Sequence, residues 1–122
     1  ALNGNPHPEM LFIAGESAGY LGNMEAAIGF MKQLISIESN NPRGFLKLGM
    51  AYAMTGNPIE GIPYMEKALQ LQTNNSEGWN NLALMHLNLG DQQKAQEALK
   101  QALIYNPQNQ QAQHLLQQIR SE

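Results

Sequence analysis

Three glycines, Gly22, Gly56 and Gly90, stand 34 residues apart, and each is followed by a turn-forming residue: Asn23, Asn57 or Asp91. The same spacing relates Leu11, Phe45 and Trp79, then Ala14, Leu48 and Leu82, then Gly15, Gly49 and Ala83. It continues through Ala27, Gly61 and Ala95, and through Met31, Met65 and Leu99. Leu34, Ala68 and Ala102 complete the set, with Ile35, Leu69 and Leu103 beside them. No insertion or deletion interrupts these columns. A period of this length means a stack of small units, each burying its apolar face against its neighbours.

Each unit reads as a pair of helices. Trp79, Leu82, Ala83 and His86 recur at i, i+3, i+4 and i+7, one face of a helix. After Gly90, the residues Ala95, Leu99, Ala102 and Leu103 make a second such stripe. Gly90 suits the position just past a helix end, where φ is often positive, and Asp91 suits the N-cap of the next helix. Asn57-Pro58-Ile59-Glu60 spells another helix start, with a cap, a proline in the first turn and an early acid. Pro63, five residues on, lacks an N–H for the Ile59 carbonyl and predicts an irregular beginning to that helix. Gln110 to Arg120 reads as a closing helix, apolar at Ala112, Leu115, Leu116 and Ile119 and covered elsewhere by glutamine.

These residues resemble the tetratricopeptide repeat (TPR) family, whose 34-residue signature runs W-x2-L-G-x2-Y, then A-x3-F, then P. Phe45, Leu48, Gly49, Tyr52, Gly61 and Met65 follow it in the second unit. Trp79, Leu82, Ala83, His86, Ala95, Leu99 and Pro107 follow it in the third. Leu11, Ala14, Gly15, Ala18, Ala27 and Met31 follow it more loosely in the first. The resemblance implies an all-α fold, a short right-handed superhelix of stacked helix pairs. The expected organisation is a single domain over 1–122: three repeats at 8–41, 42–75 and 76–109, then a capping helix at 110–122.

Residues 1–7 are expected to be the remnant of an upstream repeat, because Ala1-Leu2-Asn3-Gly4-Asn5-Pro6 parallels Ala102-Leu103-Ile104-Tyr105-Asn106-Pro107. On that reading Met10, Leu11 and Ala14 lack a packing partner, and the open N-terminal face could join a second copy into a homo-oligomer.

Composition narrows the function. At 122 residues the chain is far below the ~250 of an enzyme scaffold such as a TIM barrel. Charged residues are only 14%, and 13 Asn with 13 Gln supply the polarity instead. There is no cysteine, so thiol catalysis, disulfides and Cys-type metal sites are excluded. His7, His86 and His114 lie too far apart in sequence for a metal-ligand motif, so no metal or other cofactor is expected. His86 shares the Tyr52 column and is expected to be packed with its N–H satisfied, while His7 and His114 are expected in solvent. Seven Lys and Arg are scattered through a chain of net charge −3, which argues against nucleic-acid binding. No apolar run exceeds five residues, whereas a membrane helix needs about twenty. No signal peptide opens the sequence, so a soluble protein is expected, with the cytoplasm favoured over the periplasm.

Gly15-Glu16-Ser17-Ala18-Gly19 matches the nucleophile motif G-x-S-x-G of α/β-hydrolases. That motif needs a strand-to-helix turn and a parallel sheet, for which no pattern exists here. The chain is therefore read as a non-enzyme.

The family resemblance implies that first helices line a concave groove for a peptide or helix of a partner protein. By register, the first unit offers Glu9, Phe12, Ile13, Glu16 and Tyr20. The second offers Arg43, Leu46, Lys47, Met50 and Met54, and the third Glu77, Asn80, Asn81, Leu84 and Asn88. The seven methionines read as filler of core and groove. Some relatives hold the carboxylate tail of heat-shock chaperones with Lys, Asn and Arg. The corresponding places here are Phe12, Ile13, Lys47, Glu77 and Asn81, of which only Asn81 agrees, so chaperone-tail binding is not implied. The resemblance implies a protein-interaction module within a larger, bacterial-type assembly or adaptor. Two alternatives are self-assembly through the N-terminal face, and a segment of a cytochrome c maturation-type factor, suggested by Asn5-Pro6-His7-Pro8 and the small-residue helix after it.

Overall fold

Gly22, Gly56 and Gly90 take φ values of 82°, 80° and 79°, the left-handed region in which a side chain is strained. Each ends the first helix of a pair and reverses the chain. A computed structural model describes residues 6–121. Among them are seven helices: α1 (Pro8–Tyr20), α2 (Met24–Ile37), α3 (Pro42–Met54), α4 (Pro58–Leu71), α5 (Ser76–Asn88), α6 (Gln92–Tyr105) and α7 (Gln110–Arg120). No strand occurs among the described residues. The parallel drawn for the first six residues falls almost wholly outside them.

The asparagine-rich composition serves the helix starts. The side chains of Asn23, Asn41, Asn75 and Asn109 accept from the backbone N–H groups of Ala26, Arg43, Gly78 and Ala112 at 3.0–3.1 Å. Asp91 caps α6 in the same way, accepting from the Lys94 N–H at 3.1 Å. His7, expected only to be solvated, also caps a helix: its Nδ1 accepts from the Glu9 N–H at 3.2 Å. Asn57 stands at the N-cap of α4 but makes no side-chain cap bond. Pro63 does not disorder α4, which runs unbroken from Pro58. Pro63 and Ile59 are both exposed, so water can reach the carbonyl that Pro63 leaves without a donor.

Packing is local in sequence. α1 packs on α2, α3 on α4 and α5 on α6, and each second helix packs on the next first helix. α3 also touches α5, which sets first helices side by side along one face. Leu34, Leu48, Met65 and Leu99 are fully buried, and Met31 nearly so. Leu11, expected to lack a partner, is buried against Met31 and Leu34, because α2 of its own unit covers it. Met10 is 67% exposed.

The units join through small residues. A Cβ on Gly44 would lie 2.8 Å from Ile35, and one on Gly78 would lie 2.9 Å from Leu69. Ala112 occupies the same column at the start of α7 and is fully buried. Ser76 Oγ donates to the Ala102 carbonyl at 2.7 Å and accepts from Asn109 Nδ2 at 2.9 Å, tying α5, α6 and the entry to α7 together. Along α7, Ala112, Leu116 and Ile119 face inward and Gln110, Gln111, Gln113, Gln117 and Gln118 face water.

Candidate functional site

Side-by-side first helices leave two adjoining hollows on one face. The first, of about 230 Å³, lies between units one and two; Gly15, Ala27, Met24 and Met31 meet Met50, Ala51 and Met54 there. Glu16, Tyr20 and Lys47 stand at its rim. The second, of about 280 Å³, lies between units two and three, with Ala53, Met65, Met85 and Leu84 as apolar wall and Asn81 and Asn88 as polar wall. Met50 and Met54 line both, so the hollows form one trough.

Eight of the fifteen residues expected in a groove come together here: Glu16, Tyr20, Lys47, Met50, Met54, Asn81, Leu84 and Asn88. Seven do not line the hollows, Glu9 among them. Ile13 is 60% exposed on α1, and Glu77 is exposed on α5. Leu46 is half-buried and packs on the core. Phe12 is half-buried, with the Arg43 guanidinium 4.6 Å from its ring centre. Asn80 must be withdrawn as a ligand contact: it is 1% exposed, and its Oδ1 has no hydrogen-bond partner. Its column faces inward once the third unit is closed, which the period alone does not disclose.

Arg43 is likewise committed within the fold. Its Nη2 lies 2.7 Å from Glu9 and 2.9 Å from Glu38, and its Nε donates to Glu38 at 2.9 Å. The hydrogen bond from Arg43 holds the Glu9 carboxyl below its ordinary pKa, with the guanidinium charge adding to the effect. The same pairing raises the pKa of Arg43. Lys47 Nζ sits 3.3 Å from Glu16 Oε2 at the rim of the first hollow. Both cations of this face thus have acidic partners within the protein.

The 34-residue columns place Met31 and Met65 in the core, and neither they nor Met24 and Met85 fall at groove positions by register. Their side chains reach the hollows from the helices behind or beside it. The signal was the methionine content itself, since a long unbranched side chain can close a core and floor a groove together.

Other candidate chemistry does not assemble. Gly15-Glu16-Ser17-Ala18-Gly19 lies inside α1, where Gly15 is buried against Met31 and no strand-to-helix turn exists. His86 is 7% exposed and packed, as its column suggested. Among the described residues no three His, Asp or Glu side chains gather as metal ligands would, and no helix is long and apolar enough to cross a membrane.

No curated protein sequence matches the chain. Solved structures match it closely in shape. A crystal structure of MamA superposes with a TM-score of 0.89 at 21% identity, over 93% of this chain and 66% of that one. A second MamA structure gives 0.86 at 25% identity, over 92% and 61%. The chain therefore spans under two thirds of the length of the MamA chains. The first TPR of Spaghetti (RPAP3) bound to the HSP90 peptide SRMEEVD gives 0.89 at 17% identity, over 93% and 90%. These likenesses are of fold. Sequence profiles for the Tetratricopeptide repeat match residues 8–41, 42–75 and 76–109. The turn glycines, the paired helices and these matches agree, and the chain belongs to the tetratricopeptide repeat family.

Proposed function

We propose that the chain is a non-catalytic module that binds a peptide or helix of a partner protein in the trough of its first helices. The observation that carries this reading is the joined pair of hollows, walled by methionine, alanine and glycine on an open face. Contiguous apolar surface left open to water marks interaction sites in soluble proteins. The Spaghetti (RPAP3) domain, alike in fold, holds a peptide, which supports a peptide as the ligand class. SRMEEVD is acidic, however, and here Lys47 and Arg43 already have acidic partners. We therefore assign no chaperone tail to this trough. We read it as an interaction module that serves a larger, bacterial-type assembly or adaptor.

The test begins with random dodecamer peptides displayed on phage and selected against the wild-type protein. Selected peptides are then titrated against wild type and a Met54→Gln/Asn81→Ala variant whose helix content is checked by circular dichroism. A loss of about tenfold or more in affinity places binding in the trough. Equal affinity for both proteins, or a selection that enriches no sequence, overturns the reading.

A further inference from the structure

While Asn81, Leu84 and Asn88 of α5 face the trough, Trp79, Leu82 and His86 lie on the other side of that helix. Three joined hollows run along this outer side, between α4 and α6. The middle one, of about 480 Å³, brings together Glu66, Trp79, His86, Lys94, Glu97 and Ala98. Glu66 lines all three hollows, and Ile59, Ile62 and Leu89 make an apolar wall at one end. Ile59 is 71% exposed there, and Leu89 44%.

The equivalent place one repeat earlier is filled from within the protein. Tyr64 stacks on Tyr52 with ring centres 5.8 Å apart, and Lys32 Nζ stands 5.7 Å from the centre of the Tyr52 ring. One repeat on, the columns of Tyr52, Tyr64 and Lys32 carry His86, Ala98 and Glu66. The second ring and the ammonium are both missing, and a carboxylate stands in the cation's column. Phe12 also has a cation over its ring, the Arg43 guanidinium. Trp79 has none among the described residues, although an indole attracts a cation more strongly than Phe or Tyr does. Its Nε1 donates to the Thr73 carbonyl at 2.7 Å, which fixes the orientation of the half-buried ring.

The charges of this groove are unmatched, in contrast to the Glu16–Lys47 pair at the trough rim. Glu66, Asp91, Glu97 and Lys94 line the hollows, and none lies within ion-pair distance of an opposite charge among the described residues. Three carboxylates against one ammonium make the groove negative. A cation gains from the carboxylates and from the indole face together, whereas an anion meets only Lys94. A guanidinium is planar like the absent tyrosine ring, stacks on an aromatic face and can fork to a carboxylate at the same time.

We propose that this outer groove is a second binding surface, separate from the trough, which takes an arginine of a partner protein. Its guanidinium stacks on Trp79 and bonds to Glu66 and Glu97, and the apolar residues beside it rest on Ile59, Ile62 and Leu89.

Trp79 is the only tryptophan of the chain, so its emission reports on this groove. The probes are three short peptides in which leucine alternates with arginine, with citrulline, which keeps the shape without the charge, or with glutamate. Each is titrated into the intact chain and into two variants of unchanged helix content, Glu66→Gln/Glu97→Gln and Met54→Gln/Asn81→Ala. Glu66 and Glu97 are exposed, so neither glutamine disturbs the core. The expected result is a saturable change in Trp79 emission with the arginine peptide, which binds about fivefold or more tighter than either other peptide. That margin is lost in Glu66→Gln/Glu97→Gln and kept in the trough variant. A citrulline or glutamate peptide that binds equally well overturns the proposal, as does arginine-peptide affinity unchanged by the two glutamines. Failure of every peptide to alter Trp79 emission overturns it too. Loss of the response in Met54→Gln/Asn81→Ala places the arginine in the trough, which overturns the outer groove and leaves the trough standing.

Discussion

A Cβ on Gly61 would lie 2.7 Å from the carbonyl oxygen of Gly49, and one on Gly49 would lie 3.1 Å from the carbonyl oxygen of Gly61. α3 and α4 therefore cross with backbone against backbone, closer than the Gly–Ala and Ala–Ala pairs at the same columns permit. Gly61→Ala should destabilise the protein by about 1–3 kcal/mol, because a neighbouring helix must move and no flexible side chain can yield in its place. Gly29→Ala is the control. It is also inside a helix, but nothing lies within 4 Å of its Cβ position. Removing glycine there should be neutral or stabilising by up to about 1 kcal/mol. Thermal melts of both variants check the pair, and equal effects would refute the crossing.

How much of this was legible depends on how local each cause is. A turn glycine and the cap after it act within a few residues, so Gly22, Gly56, Gly90 and Asp91 could be read directly. Asn57 shows the limit. Its Nδ2 turns to Thr55 Oγ1 at 3.4 Å, and the other units carry Leu21 and Leu89 where Thr55 stands. Arg43 looked like a free groove cation because its partners, Glu9 and Glu38, belong to the preceding unit. Asn80 looked like a groove amide because its column carries Phe12 and Leu46, and only the closed array shows it buried. Met50 and Met54 could be placed in the groove by register, whereas Met24, Met31, Met65 and Met85 were visible only as a composition, since their reach into the hollows depends on how neighbouring helices lean together.

The Arg43 cluster should make the junction of units one and two sensitive to acid. The Glu9 pKa is lowered in the folded protein, so its stabilisation is present above the unfolded-state value and is lost as pH falls through the folded one. Glu9→Gln should lower Tm at neutral pH, and the gap between variant and wild type should close in strongly acidic buffer. The pair is partly exposed, so added salt should also narrow the gap. A gap unchanged between neutral and acidic pH would show that Glu9 acts through packing alone.

Burial alone does not predict the cost of truncation. Leu48 is fully buried and Asn80 is 1% exposed. Leu48→Ala should cost about 2–5 kcal/mol, through lost burial and the cavity left behind. Asn80→Ala removes an amide oxygen that has no partner, so relief of its desolvation offsets the lost contacts and the net change should stay within about 1 kcal/mol. Urea unfolding of the two variants separates them. A cost for Asn80→Ala as large as that for Leu48→Ala would mean that its amide is satisfied within the core.

Acidic C-terminal peptides should fail to bind, and the reason can be engineered away. Glu16 holds Lys47 at 3.3 Å, and Glu77 puts an exposed carboxylate on the same side of the array. A peptide carboxylate would meet one cation already paired and one charge of its own sign. Glu16→Ala should release Lys47, and Glu77→Lys should add a second cation near Asn81, which can donate through its amide. The double variant should gain affinity for a short acidic peptide with a free C-terminus, by about tenfold or more over wild type, and lose that gain when the terminal carboxylate is amidated. Calorimetric titration of the free-acid and amidated peptides against both proteins measures this. Wild-type binding as tight as that of the double variant would mean that the Glu16–Lys47 pair opens readily for an anion, and the rim charges would then no longer explain which ligands the trough refuses.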